Sequence, residues 1–346
     1  MLSPPYENHV NPDFLTKIFY LMTGYGHQAV MIFFVLSGFL VGGRVIEKFE
    51  KNDFQIDKYL ADRFSRLYPV YFASLILGGA LDWLGHTNFI STGIYTASQA
   101  NPVGVIGYDA QSRLGATDFL INLFMLQGLI GPSFGSNGPL WSIAMEFWYY
   151  VTFPLLLIPL YAQTWNKRVI YLFALAPILY LLSLNGEFFA LFAVWLLGVF
   201  SRKIRLPIKN TLLAFFFLTL FLANARFGYG GQYIRDLLVG AGCTLVIAAI
   251  LNGGFFPLTG SNFSKTASGF SYSVYAFHFP IIALTVSAMQ FNVNESTTSI
   301  AYRYTAFILV CLLCIGISYV LSRITEARTL DVRDFLKKRV LRVQTN

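Results

Sequence analysis

Long apolar runs separated by short polar intervals dominate this chain. Residues 29–46, 67–86, 140–161, 168–184, 187–201, 210–225, 233–251, 268–290 and 303–322 form nine such blocks. A helix crossing a ~30 Å hydrocarbon core needs roughly 17–25 mostly apolar residues, and these blocks reach or approach that length. The pattern predicts an all-α, polytopic transmembrane helical bundle of about nine spans. A tenth stretch at 118–131, DFLINLFMLQGLIG, is too short to be a secure span, and the loop charges that follow lead to its being read as re-entrant or half-buried.

The charges between the blocks set the orientation. Basic residues gather in the 44–66 connection (Arg44, Lys48, Lys51, Lys58, Arg63, Arg66), at Lys167 and Arg168, in the 202–209 connection (Arg202, Lys203, Arg205, Lys209), and in the tail (Arg323, Arg328, Arg333, Lys337, Lys338, Arg339, Arg342). If 118–131 does not cross, all four clusters share one side, which the positive-inside rule makes the cytoplasm. The 87–117 loop and the amino terminus then lie outside, and the carboxyl terminus inside. The opening MLSPPYENHVNPDF reads as an internal loop, and one further upstream helix would give ten spans and a cytoplasmic start. Three regions are expected: a 1–28 extracytoplasmic or interfacial segment, a 29–322 transmembrane domain, and a 323–346 cytoplasmic basic tail. In that tail Leu330, Phe335, Val340 and Leu341 alternate with basic residues, as in a helix lying on an anionic leaflet.

Composition agrees: 55% of residues are hydrophobic, 17% aromatic and only 12% charged, about half the charge of a soluble chain. The net charge of +8 sits in clusters between apolar blocks, not along one face, which excludes a nucleic-acid binder. Cys243, Cys311 and Cys314 all fall within apolar blocks and read as packing; the C-x-x-C at 311–314 has no further ligand nearby, so no metal is implied.

Ionisable groups inside a bilayer are costly, so those that persist are candidates for function. Glu146 lies in PLWSIAMEFWYY, His278 in FSYSVYAFHFP, and His27 at the outer edge of the first span; Arg63 and Arg66 mark the inner end of the second. Each has a plainer reading: a hydrogen-bonded packing histidine, a partnered carboxylate, arginines as topology markers. Ser37–Phe39, the SGF of the first span, also reads as a small-residue helix-packing surface.

Taken together, FFVLSGFL, the R-x-x-R-L-Y-P at 63–69, PLWSIAMEFWYY and FSYSVYAFHFP resemble, in this order, the integral-membrane acyltransferase family 3, across roughly residues 27–326. The resemblance implies an enzyme of a bacterial inner membrane that takes an acyl group, commonly acetyl, from cytoplasmic acyl-CoA and places it on a hydroxyl of an extracytoplasmic glycan. Acyl-CoA is then a substrate, and no bound cofactor is implied. Family members carry a helix before the FFVLSGF span, with an Arg and a His base, that has no counterpart here. Neither His9 nor His27 fits its Arg-to-His spacing, and Lys17 is only a loose substitute for the Arg.

Esterifying a hydroxyl from a thioester needs a base, donors for the oxyanion, and cations for the donor's phosphates. Arg63 and Arg66 suit the phosphates. His27, Glu146 and His278 are the catalytic candidates, with Glu146 orienting the base or binding the acceptor. A polar path is expected along Ser37, Trp141, Ser142, Tyr150, Ser271, Tyr272, Tyr275 and His278. The acceptor site is expected in the 87–117 loop and the 132–139 stretch. Three readings of the absent base stand open: a truncated record, a base supplied by His27 or His278, or an inactive relative. A transporter or flippase for a lipid-linked sugar, using Glu146 and His278 as a proton relay, is the alternative from another class.

Overall fold

The computed structural model describes residues 14–96, 106, 108–162, 164–202, 210–228, 230–253, 262–291 and 300–340. These residues form helices and connecting turns with no named strand, as hydrocarbon demands of a backbone that must satisfy its own polar groups. The helices are α1 (Phe14–Thr23), α2 (Gly26–Ser37), α3 (Gly43–Glu50), α4 (Ile56–Phe89), α5 (Ala116–Leu123), α6 (Trp141–Tyr161), α7 (Trp165–Ser183), α8 (Phe188–Ser201), α9 (Thr211–Phe227), α10 (Gln232–Leu251), α11 (Asn262–Ser268), α12 (Ser271–Phe291), α13 (Ile300–Ile324) and α14 (Thr329–Phe335). A π-helical turn, Gly38–Gly42, joins α2 to α3 without a break, so the first span is continuous over Gly26–Glu50.

Seven helical stretches among the described residues are long and apolar enough to cross a membrane, and α8 and α9 are shorter apolar helices. These nine correspond to the nine apolar blocks. The 118–131 stretch holds only the eight-residue α5, about 12 Å long, followed by turns with Met125 at φ 55°; it does not cross as a helix. The second span differs from the sequence reading. It begins at Ile56, so Arg63 and Arg66 lie on α4 itself, three residues apart and therefore on one side of it, not in a connecting loop. The tail is α14 followed by a π turn, Leu336–Val340. Lys203, Arg205, Lys209, His9, Leu341, Arg342 and part of the 87–117 loop lie outside the described residues.

The chain divides into two compact units. One comprises residues 13–60 and 145–260. Within it α8 is the central helix, packed by α2, the π turn, α3, α7 and α10, while α9 packs on α10. The approach of α2 to α8 is unusually close because glycine meets backbone on both sides. A Cβ on Gly38 would collide with the Trp195 carbonyl and stand 3.2 Å from the Val199 nitrogen; one on Gly198 would collide with the Val35 carbonyl and stand 2.9 Å from the Phe39 nitrogen. The small-residue surface expected at SGF is thus a helix crossing, where close van der Waals contact supplies the association that hydrophobicity cannot supply in lipid.

The other unit takes its described residues from 61–144 and 261–346. Here α12 packs on α13 and on the 138–140 turn. Pro280 interrupts α12, and a proline has no N–H to offer the carbonyl four residues back. That carbonyl, Ala276 O, receives Asn137 Nδ2 instead at 3.0 Å, and Gly78 gives both groups room, since a Cβ there would stand 3.2 Å from Pro280 Cγ. The short stretch after α5 is pinned by polar side chains: Asn122 donates to Asp118 O and Pro132 O and accepts from Phe134 N, and Gln127 donates to Tyr71 OH and Leu140 O. Asp82 accepts from both the backbone N–H and the hydroxyl of Ser136, each at 2.6 Å. A segment too short to span is held by hydrogen bonds because it has no helix of its own to satisfy its backbone.

Candidate active site

In the unit containing α2 and α8, Glu146 is buried at 3% exposure on α6. It accepts the Ser37 hydroxyl at 2.6 Å and a short hydrogen bond from the Tyr150 hydroxyl, one helical turn further along α6. Ser37 Oγ lies 3.0 Å from Tyr150 OH and accepts the indole N–H of Trp195 at 3.2 Å. Three of these residues were sequence candidates; Trp195 was not, because within FFALFAVWLLGVF it reads as one more apolar residue. An aromatic sheath keeps water from the network: Trp195 stacks on Phe192 and meets Phe153 edge-on, while Tyr149 packs on Phe34, Phe188 and Phe192. Water exclusion strengthens each of these charge-assisted bonds. A hydroxyl bonded to a carboxylate, with that carboxylate held by a second hydroxyl, is an arrangement that can move a proton onto and off an oxygen nucleophile.

His27 stands at the start of α2 in the same unit. Its Nε2 lies 2.9 Å from Oδ1 of Asp236 on α10. Asp236 is buried, and its Oδ2 has no hydrogen-bond partner among the described residues. The criterion that singled out Glu146, an ionisable group within an apolar block, applies equally to Asp236 and to Asp82; their places near block ends concealed them.

In the other unit, Ser142 Oγ and Tyr275 OH are 2.5 Å apart, and Tyr275 donates to Pro139 O at 2.9 Å. His278 Nδ1 lies 2.7 Å from the Tyr275 carbonyl. A carbonyl can only accept, so Nδ1 carries a proton and is the donor of this bond. Trp141 is half-buried at the first position of α6. The buried amide oxygens Gln127 Oε1 and Asn137 Oδ1 have no hydrogen-bond partner among the described residues.

At the other end of α12, Tyr272 donates to Leu67 O, the exposed Ser271 donates to Ser268 O, and Glu326 caps the helix by accepting from Ser273 N and Oγ. Arg63 is half-buried and Arg66 exposed on α4, with Arg66 in electrostatic reach of Glu326. The tail reaches the same helix through Lys337 Nζ, 2.8 Å from Asp62 Oδ1. In the 94–114 region, Arg113 lies over the Tyr108 ring at 3.3 Å, and Gly135 N bonds Arg113 O, tying this loop to the 132–138 turn. Burial, reinforced by the Asp82 charge, pushes the Tyr95 hydroxyl well above its ordinary range, and burial raises Tyr108 as well.

Comparison with known proteins adds three findings. A family model described as an acyltransferase domain matches residues 3–323. An uncharacterised protein of Haemophilus influenzae is 30% identical over 156 residues, which are 44% of this chain and 58% of that relative's length. No solved structure matches the chain.

Proposed function

The chain belongs to the acyltransferase-domain family, and from that premise we propose that it is a membrane acyltransferase that moves an acyl group, acetyl by default, from cytoplasmic acyl-CoA to a hydroxyl of an extracytoplasmic glycan. The observation that carries the reading is Glu146, a carboxylate buried in a span and already bonded to a hydroxyl at 2.6 Å. In a dry site such a carboxylate is the group to take the proton from an attacking oxygen. Arg63 and Arg66, set on one side of α4, are assigned to the donor's phosphates, which guanidinium groups grip with two parallel N–H donors. His278, whose Nδ1 faces the Tyr275 carbonyl in one unit, and His27, held by Asp236 in the other, are each assigned a role toward polar groups of the substrates. Ser142, Tyr275 and Trp141, in the unit of His278, are assigned to substrate binding. Four basic clusters support a carboxyl terminus on the cytoplasmic side of a bacterial inner membrane.

Inside-out membrane vesicles carrying the protein, given labelled acetyl-CoA, test this. Label should enter lumenal glycan, and Glu146→Ala should lower its rate by about 10²–10⁴-fold, as loss of a general base does. Arg66→Ala should raise KM for acetyl-CoA with a smaller effect on kcat. Movement of a lipid-linked sugar across the membrane with no label incorporated would overturn the enzyme assignment of donor and acceptor in favour of a flippase.

A further inference from the structure

Serines inside membrane helices ordinarily turn their hydroxyl back onto their own helix. This chain shows the habit repeatedly: Ser74 bonds Tyr71 O, Ser201 bonds Gly198 O, Ser287 bonds Ala283 O and Ser322 bonds Tyr319 O. Ser37 does not. Its hydroxyl leaves α2 and donates to Glu146 Oε1 on another helix, 109 residues away in sequence, at 2.6 Å. It is also the last residue before the π-helical turn Gly38–Gly42, and π turns inside α-helices recur at functional sites. The two glycine crossings that bring α2 onto α8 set Trp195 beside it.

Resting on the acyl-CoA reading above, we propose that Ser37 is a catalytic nucleophile that carries the acyl group as an ester between donor and acceptor. Glu146 is its base, and Tyr150, which bonds the same carboxylate oxygen, holds that base in place. The trio has the layout of an activated nucleophile: attacking oxygen, base within hydrogen-bond reach, and a third group orienting the base. In the first step Ser37 Oγ bonds to the thioester carbonyl carbon as its proton passes to the Glu146 carboxylate. The carbon–sulfur bond then breaks, and the leaving thiolate takes that proton from Glu146 and departs as the thiol. In the second step the acceptor hydroxyl gives its proton to Glu146 and its oxygen attacks the ester carbonyl. The bond from that carbon to Ser37 Oγ breaks, and Ser37 recovers the proton from Glu146. The sum is thioester plus alcohol to ester plus thiol, with no oxidant or reductant. The Trp195 N–H, 3.2 Å from Ser37 Oγ, faces the nucleophile's own oxygen, which bears charge as it is deprotonated for attack and again as it leaves in the second step. Ser37 lies 11 residues into a 25-residue span and is buried at 6% exposure, which shields an ester there from hydrolysis.

The full chain in detergent, incubated with labelled acetyl-CoA without acceptor, quenched in acid and mapped by mass spectrometry, should carry acetyl on the peptide containing Ser37. Adding glycan-bearing membranes should chase the label off. Ser37→Ala should abolish the adduct and lower transfer at least ~100-fold. Ser37→Cys keeps a nucleophile and should carry the label as a hydroxylamine-labile thioester, which a serine serving only as a tether would not do. Should Ser37→Ala fail to fold, the cysteine variant decides the matter. A wild-type protein that transfers label with no adduct at Ser37, or a Ser37→Ala variant transferring at the wild-type rate, overturns the nucleophile and leaves the transferase standing. A wild-type protein in native membranes that transfers nothing from acetyl-CoA overturns both.

Discussion

Gly198→Ala is the sharpest test of how the Glu146 network is held. The added methyl would collide with the Val35 carbonyl and stand 2.7 Å from its carbon and 2.9 Å from the Phe39 nitrogen, and all three are backbone atoms that no rotamer change can move. Ordinary carbon contacts begin near 3.5 Å, so α2 and α8 must part by about 1 Å. Overpacking of this kind costs about 1–3 kcal/mol. Separation also stretches the 3.2 Å bond from Trp195 to Ser37, which contributes roughly 0.5–1.5 kcal/mol. A loss of about 2–4 kcal/mol should lower the melting temperature in detergent by on the order of 5 °C or more. Gly186→Ala is the control, because a methyl there meets nothing within 4 Å. Gly38→Ala strains the same crossing, so the double variant should cost less than the sum of the singles. Scanning fluorimetry reads stability, and the acetyl-CoA assay reads whether Ser37 and Glu146 stay in register. If Gly198→Ala melts and transfers like the wild type, the glycine crossing does not seat the network and the argument from close approach is wrong.

Three further outcomes follow from particular contacts. Asn137→Ala leaves Ala276 O without its donor and should cost about 1–3 kcal/mol in thermal unfolding, while adding Pro280→Ala returns an N–H to α12 and should recover part of that loss. Ser136→Ala removes one of the two bonds that Asp82 accepts in a buried setting and should destabilise by roughly 1.5–3 kcal/mol, read by the same melt. His27→Ala strands the buried Asp236 carboxylate at a cost of about 1–3 kcal/mol, and His27→Ala with Asp236→Leu should be the more stable of the two; an equal or lower melting point for the double variant would show that the carboxylate has another partner.

Much of the fold was legible because its cause is local. Whether a segment can span hydrocarbon depends on its own residues, so the nine apolar blocks could be read from composition along the chain, and the reading of 118–131 as re-entrant from the charges of the loops around it. The site was legible only in part. Glu146 and Ser37 stood out singly, one for its cost in lipid and the other as part of a small-residue motif, but nothing in the sequence joined them. Asp236 and Asp82 were concealed by their positions near block ends, and Trp195 by its apolar neighbours. Arg63 and Arg66 were placed at the correct boundary but in a loop, since the apolar pattern begins only at residue 67 whereas the helix begins at Ile56.

The sequence by itself determined that this chain enters a membrane as helices, where the apolar stretches of those helices lie, and some of the side chains too polar to be there by default. These follow from transfer energies that each segment bears alone. Only the tertiary structure decided which of those side chains meet. The hydrogen bond from Trp195 to Ser37, 158 positions apart, exists because Gly38 and Gly198 let two backbones touch, and a distance between helices is a property of the pair and not of either sequence segment.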